Sequence, residues 1–532
     1  MNIFLQNVNT KDALTDNDAL TNSSSGDELV NQFAKAGVYR NRPIEEVFND
    51  QAKLENYNPE LALKFVFYLR MITRNVTDLN GNTFKKVQRG QGNRDESFKR
   101  LLWYASYHRE TFYDLLYLLP LVGSWKDIFQ LAFMLHENSI SFNYIKFFDI
   151  LKFGLASDSH RDLVKKYLPR IRSNQQCKTN WALFTNNFAK DFAKYLRISV
   201  QEYRGLKTVG KAHVFQKLIC SKDFENLNFN TIPGKALLLL TSGKFIQRHD
   251  LSNKLIDWVK TKQTVNFNGY PYELGAKVKQ KFNLPLYLKL TIDKQFENLV
   301  KVAKMDTDGI LSKRNVVSAI DRSGSMEAQV IGDITRMDIA ESLGIFFASI
   351  QENDFKDWVI KFSEKSKWVK LMGDGFCDKK LSMKWNDCPS NTDAISIIRT
   401  IADKRNQYPD ISLEDFPNTL LIVSDMQFDN IGSETVREGY ERILLEVFPE
   451  KWVKDFVVIW WDVRGKKNDY PSTINDGGNY LFSGFDGSII TTLLGGISKN
   501  SNTEKPSMLD IIKDTLNQDL LQLVKFSVDI PF

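Results

Sequence analysis

From Leu29 to about Lys304 the apolar residues recur at helical spacing, in segments such as PELALKFVFYLRMI, SFKRLLWYASY, TFYDLLYLLPLV, WKDIFQLAFML, WALFTNNFAKDFAKYL and HDLSNKLIDWVK. Successive helices of this length with few strand signals predict an all-α helical-repeat array of paired helices, although no strict sequence period is visible. From Lys313 the pattern changes. NVVSAID, DWVIKF, NTLLIVSD, DFVVIWWDV and NYLFSGF are short apolar β-rich runs, separated by helical stretches such as MDIAESLGIFFASI and ETVREGYERILLEVF. Alternating strand and helix predicts an α/β doubly wound, mainly parallel sheet covered on both faces. In that architecture ligands sit outside the carboxyl ends of the strands. The first residues are polar and end in TNSSSGDE, which predicts a flexible tail. The expected division is therefore a tail over 1–26, a helical domain over 27–310 and an α/β domain over 311–532.

A chain of 532 residues is too long for one hydrophobic core, which agrees with a multidomain reading. The net charge of +6 hides an asymmetry: residues 311–532 hold 26 Lys+Arg against 34 Asp+Glu, and residues 1–310 hold 45 against 31. A basic part joined to an acidic part implies two different partners, or attraction between the parts. The four cysteines, Cys177, Cys220, Cys377 and Cys388, form no CxxC pair, so neither a zinc site nor a disulfide framework is suggested and a reducing, intracellular and by default cytoplasmic location is expected. No basic start precedes an apolar run, and no window of about 18 apolar residues occurs, so no membrane partner is expected.

The candidate chemistry lies in the α/β part. One strand ends in Asp321-Arg-Ser323-Gly-Ser325 and a later one in Ser424-Asp425, which places two carboxylates at the same sheet edge; between them SNTD offers Thr392 from a loop before a helix. Two carboxylates with three hydroxyls suit a hard divalent cation, Mg²⁺ first and Mn²⁺ or Ca²⁺ as substitutes. Gly324 is expected to let the loop fold tightly enough to aim both serines at one centre. The bland reading is that this motif only caps a helix. No His, Cys or evident general base accompanies these groups, so no catalytic residue is assigned and binding is expected rather than enzymatic turnover.

The helical part carries a second candidate. Between Arg161 and Cys220 there are 13 Lys+Arg and 3 Asp+Glu. Lys165, Lys166, Arg170, Arg172, Arg197, Arg204, Lys207, Lys211 and Lys217 are the candidate phosphate contacts for structured or single-stranded RNA. Tyr167, Trp181, Tyr195 and Tyr203 lie among them and could stack on unpaired bases. The alternative is solvated helix faces with the aromatics in the core. The loop before FKR in KKVQRGQGNRDESFKR either meets a phosphate at a helix start or is a helix–helix turn with Asp95 and Glu96 complementing the helix dipole. GSWKD reads as a turn with a packing Trp125.

The DxSGS, Thr and Asp constellation resembles the metal-ion-dependent adhesion site of Rossmann-like von Willebrand factor A domains. By that resemblance Ser323, Ser325 and Thr392 coordinate directly and Asp321 and Asp425 directly or through water, leaving a position for a protein partner's acidic side chain or for water. Ser390 and Asn391 stand where many relatives have glycines before the Thr. Further phrases, RGQGNRDESFKRLLWYAS, LLPLVGSWKDIFQL, EYRGL, DIAESLGIFFASI, WNDCPSNTDAISII, LIVSDMQFDN and YLFSGFDGSIITTLL, are similar to the domain of unknown function 2828 family. That family resembles the Ro (TROVE-type) ribonucleoproteins and the telomerase and vault proteins, which pair a HEAT-like helical-repeat module with a C-terminal von Willebrand A domain. The resemblance implies a Ro-like RNA-binding protein with a magnesium-dependent ligand site; the alternative is a metal-dependent protein–protein interaction scaffold without RNA.

Overall fold

The computed structural model describes residues 13–208, 214–278, 284–306, 315–383, 392–429, 436–465, 469–485 and 505–525. The chain forms two compact units, Met1–Tyr39 with Leu218–Ile512 and Arg40–Lys217 with Lys513–Phe532. An N-terminal helical region and a C-terminal mixed sheet are thus present, but the boundaries expected at 26 and 310 are not where the units divide.

The α/β unit is built on a six-stranded sheet. Its strands are β3 (Val316–Asp321), β6 (Trp358–Phe362), β7 (Lys367–Lys370), β8 (Thr419–Ser424), β9 (Val457–Asp462) and β10 (Asn479–Ser483), in the order β10-β9-β8-β3-β6-β7; β1 (Ala13–Leu14) pairs with β2 (Leu20–Thr21), and β4 (Gln329–Ile331) with β5 (Ile334–Thr335), as small antiparallel hairpins. All pairs in the large sheet are parallel except β6 with the edge strand β7. Every residue of β3, β8 and β9 is buried, which is why these strands read as continuous apolar runs rather than alternating ones. β7 instead ends in exposed lysines, which keep a free edge from pairing further.

The chain builds outward from β3 through β6 to β7, then returns to the other side of β3 with β8. This reversal makes the carboxyl ends of β3 and β8 the two sides of a topological switch point, where a crevice opens at the sheet edge. Asp321 ends one strand and Ser424 the other, with Asp425 next.

The helix Arg336–Ile350 lies against β3, and all its residues from Met337 onward are buried. Its start is fixed by a capping box: the Thr335 hydroxyl accepts from the Asp338 N–H at 3.2 Å, and the Asp338 carboxylate accepts from the Thr335 N–H at 3.0 Å. Gly344 allows the close approach, since a Cβ there would stand 2.3 Å from Ile320 Cδ1. The helices Pro271–Val278 and Leu286–Asp306 also pack on Arg336–Ile350, so they belong with the sheet and not with the helical domain in which the sequence pattern placed them.

The expected tail is a second correction. Residues 1–12 lie outside the described residues, but 13–26 form an ordered strap. The Thr15 hydroxyl donates to the Phe428 carbonyl at 2.7 Å, Asp16 N–H to Gln427 Oε1 at 2.7 Å, Asn17 Nδ2 to the Gln427 carbonyl at 3.0 Å and the Thr21 hydroxyl to the Tyr470 carbonyl at 2.9 Å. Polarity here serves bonding to loop backbone, not solvation. The helix Glu28–Ala36 follows and buries Lys35, whose ammonium donates to Asp462 Oδ2 at 2.8 Å and to the Asp469 carbonyl at 2.7 Å.

The helical unit includes Ile44–Tyr57, Pro59–Arg70 and Arg94–Tyr107, packed on one another, and Lys126–Glu137, Tyr144–Ala156 and Asn180–Tyr195. Phe129, Phe148, Phe188 and Phe192 interlock with centroids 5.0–5.5 Å apart. The RGQGN loop is a packing turn: a Cβ at Gly90 would lie 2.5 Å from the Tyr68 carbonyl. Glu96 is buried between Arg42 and Arg100 at 3.0 Å from each, while Asp95 holds Lys99 at 2.8 Å. Trp125 is buried and its indole N–H meets His160 Nδ1 at 3.1 Å, so GSWKD is the expected turn with a packing Trp. Among the described residues no helix is long and apolar enough to cross a membrane.

Replacing Lys35 by Met leaves Asp462 charged and buried without its ammonium. The expected cost is on the order of 3 kcal/mol, read as a lowered urea midpoint in the fluorescence of Trp460 and Trp461 on the adjoining strand β9. An unchanged midpoint contradicts the role given to this clasp.

Candidate metal centre

Strand β3 delivers Asp321 to the crevice with no exposed surface. Its two oxygens are held from different segments: Oδ1 accepts the Ser323 N–H at 2.9 Å and Oδ2 accepts the Ser424 hydroxyl at 2.5 Å. The chain then enters a short 3₁₀ turn, Gly324–Glu327, which brings the Ser323 and Ser325 hydroxyl oxygens to 3.1 Å of each other. Cis ligands of an octahedral ion with bonds near 2.1 Å stand about 3.0 Å apart, so this spacing fits two neighbouring coordination positions. Gly324 does not have the role expected of it: its φ is not positive and a Cβ there would meet nothing within 4 Å.

Asp425 is nearly fully buried. Arg336, the first residue of its helix, donates from Nη1 to Asp425 Oδ2 at 2.9 Å and to the Ser325 carbonyl at 3.1 Å, tying the loops after β3 and β8 together. The Ser325 hydroxyl also faces the Asp425 carboxylate and favours its charged form, yet makes no well-formed hydrogen bond to it. Asp425 Oδ1 is buried and accepts no hydrogen bond from the described residues. Burial pushes the Asp321 carboxyl up to about 7, helped by the nearby Asp425 charge and opposed by the hydrogen bonds from Ser424 and Ser323. Asp425 is also raised, chiefly by burial, against the lowering influence of Ser325, Arg336 and Arg464. The site therefore holds two carboxylates whose charge is only partly compensated.

Thr392 is buried at the start of the loop before the helix Ile395–Gln407. Its N–H donates to Asp429 Oδ2 at 2.5 Å and its carbonyl accepts from the Asp429 N–H at 3.0 Å; the next residue, Asp393, donates its N–H to the Ser363 carbonyl at 2.8 Å. These bonds anchor Thr392 to the loop four residues beyond Asp425 and to the end of β6, at the same sheet edge. Its hydroxyl makes no hydrogen bond among the described residues. Ser390 and Asn391 lie outside the described residues. The Asp321 and Asp425 carboxylates and the Ser323 and Ser325 hydroxyls thus stand together, with Thr392 held at the same sheet edge through its backbone. Among the described residues no three His, Cys, Asp or Glu side chains gather as a metal-binding group.

Sequence reasoning missed the charges behind this set. Arg322, inside the DxSGS loop, is buried and pairs with Glu341, which also binds Lys380; Lys380 lies 3.5 Å from Asp338. The signal was present, because Asp338 and Glu341 stand one turn apart in the otherwise apolar stretch MDIAESLGIFF, and acids buried there need cations.

The nine basic candidates of the helical unit do not form one patch. Lys166, Arg170 and Arg172 line a hollow beside Trp181 and Tyr167, whereas Lys165, Arg197, Arg204 and Lys217 do not line it. The side chain of Lys207, and all of Lys211, lie outside the described residues. Tyr203 is core: it is buried and its hydroxyl donates to the Pro169 carbonyl at 3.0 Å. Cys177, Cys220 and Cys377 are free thiols, and Cys388 lies outside the described residues.

No curated protein sequence matches the chain. The family finding corrects the expected resemblance to the domain of unknown function 2828 family, to Ro-type ribonucleoproteins and to a von Willebrand A domain: the model that matches is a different one and covers none of residues 1–314. Two of the phrases that suggested the wider kinship sit in tightly packed turns, at Gly90 and Trp125. Residues 315–522 are similar to a family described as Domain of unknown function (DUF7788).

Proposed function

We propose that the α/β unit binds one divalent cation through Asp321, Ser323, Ser325, Thr392 and Asp425, and that the ion captures an acidic side chain of a protein partner. The observation that carries this reading is Asp425 Oδ1, a buried carboxylate oxygen that accepts no hydrogen bond among the described residues, facing a loop whose two hydroxyls, hydrogen-bonded to each other, stand at a spacing that also suits octahedral coordination. Leaving such an oxygen unmatched in a dry site is costly, and a cation removes the cost. The two carboxylates balance the ion's charge and the hydroxyls add ligand atoms without adding more, so with the Arg336 guanidinium on Asp425 the loaded site carries no negative excess to repel a further carboxylate. Asp321 is oriented by Ser424 and by the Ser323 N–H, and Asp425 by Arg336. The described side chains around these oxygens are hydroxyls, carboxylates and a guanidinium with no neutral base among them, which favours capture over turnover.

Calorimetric titration of the full chain with Mg²⁺ or Mn²⁺ is expected to give one site. Asp321→Ala and Asp425→Ala are expected to weaken it at least about 10-fold, and metal at about 100 times its Kd is expected to stabilise the wild type by roughly 2.7 kcal/mol. Recovery of a binding partner that persists both in chelator and in the Asp321→Ala chain contradicts the capture role.

Arg336 is the cation that compensates Asp425 from within the protein. Arg336→Ala is expected to lower the melting temperature in chelator and to enlarge the upward shift on adding Mg²⁺. Equal shifts in the variant and the wild type contradict this pairing.

A further inference from the structure

The basic candidates that the metal centre leaves unused converge, in part, on a cleft of the helical unit. We propose that this cleft binds a nucleotide unit, an unpaired base with its adjoining phosphate, with the base on Trp181 and the phosphate on Arg170, Arg172 and Lys166.

Trp181 opens the helix Asn180–Tyr195 and is half-buried. Phe133 holds it edge to face at a centroid distance of 5.1 Å, so the indole is a fixed platform. Its N–H has no hydrogen-bond partner among the described residues. Two hollows meet at this ring. The smaller, about 220 Å³, is lined by Lys126, Lys166, Arg170 and Arg172, with Tyr167 half-buried beside them. None of these four cations has a side-chain hydrogen bond or ion pair among the described residues. Elsewhere in the unit buried arginines are matched to acids: Arg70 to Asp127, Arg42 to Asp50 and Glu96, Arg100 to Glu96. Here the acid nearest in sequence to Lys126, Asp127, is already taken by Arg70. Four exposed cations left facing one hollow repel one another and create a local positive potential, which a phosphate would neutralise. Arginine suits phosphate through its paired N–H groups.

The larger hollow, about 610 Å³, is also lined by Trp181 and is of the size that encloses a small organic ligand. Its edge carries amide groups, Asn93 and Gln130, with Arg94 held to Gln130 Oε1 at 2.8 Å. It also carries Asp95, whose charge is met by Lys99 at 2.8 Å. A base stacked on Trp181 thus borders the Gln130 amide in the larger hollow and the cations of the smaller one. Only an unstacked base can use the platform, which excludes an intact duplex.

The test uses the full chain and three probes: a labelled single-stranded RNA oligomer of about 12 nucleotides, within common site sizes, the same sequence as a duplex, and AMP. Fluorescence anisotropy reads the oligomers and calorimetry reads AMP. Trp181→Ala is expected to weaken single-strand binding at least about 10-fold without changing its salt dependence, and Trp181→Phe to restore most of it, because stacking on any aromatic is sequence-tolerant. Arg170→Ala with Arg172→Ala is expected to weaken binding and to flatten the plot of log affinity against log salt by about 1.4, two phosphate contacts at roughly 0.7 each. If AMP binds with the same sensitivity to Trp181 and the arginines, the ligand is a free nucleotide; if only the single strand binds, it is a nucleotide within a strand. Binding to neither probe, duplex binding as tight as single-strand binding, or single-strand affinity unchanged by Trp181→Ala overturns the proposal. Circular dichroism melting of each variant separates loss of binding from loss of fold.

Discussion

Two carboxylates buried beside each other at the edge of a parallel sheet must be compensated, and much of the α/β unit is arranged around that need. Asp321 and Asp425 stand on either side of the gap between β3 and β8, the place where the strand order reverses. Desolvation raises both of them, with the Asp425 charge adding to it at Asp321 and the Asp462 charge at Asp425. Local dipoles and one guanidinium answer part of this: the Ser323 N–H and Ser424 hydroxyl on Asp321, and Arg336 on Asp425. Behind them Arg322, Glu341, Lys380 and Asp338 form an alternating buried chain of charge that fixes the ligand loop to the helix Arg336–Ile350. Among the described residues one oxygen of Asp425 accepts no hydrogen bond, and the proposed cation would answer it.

The sheet and the carboxylate pair were legible because both are local signals. Continuous apolar runs ending in acid mark buried parallel strands whose tips meet at one edge, and that rule alone places Asp321, Ser424 and Asp462 together. The N-terminal strap was not legible. Its stabilisation comes from hydrogen bonds between Thr15, Asp16 and Asn17 and a loop more than four hundred residues away, and composition carries no trace of such pairing. The helices Pro271–Val278 and Leu286–Asp306 were assigned to the wrong neighbour for the same reason, since helical periodicity reports an apolar face without naming what covers it. Short phrases misled in another way: RGQGN and GSWKD are turns under tight packing constraint, and such turns recur wherever backbone must approach backbone.

The strap and the loop after β8 are mechanically connected. Gln427 accepts from Asp16 at 2.7 Å and donates to Asp469 at 2.6 Å, two residues past Asp425, while Lys35 bridges Asp462 and the Asp469 carbonyl. Burial pushes the Asp469 carboxyl up to about 6 despite Lys35 and Gln427, which marks this as another place where charge is packed with little solvent. The loop that carries Asp425 is therefore held from both sides, and such support is what a ligand site needs to keep its geometry. The helical unit follows a different logic. Its ionic groups are matched in the interior, and unmatched cations appear where they face the cleft at Trp181.

The most direct examination of the central claim is a crystal of the full chain grown or soaked with Mn²⁺, measured for anomalous scattering. The account predicts one strong peak bounded by Asp321, Ser323, Ser325, Thr392 and Asp425, with bonds near 2.1–2.2 Å as an order-of-magnitude guide. A loaded crystal with no peak there, and Asp425 Oδ1 satisfied by a water or by a shifted side chain, would contradict it.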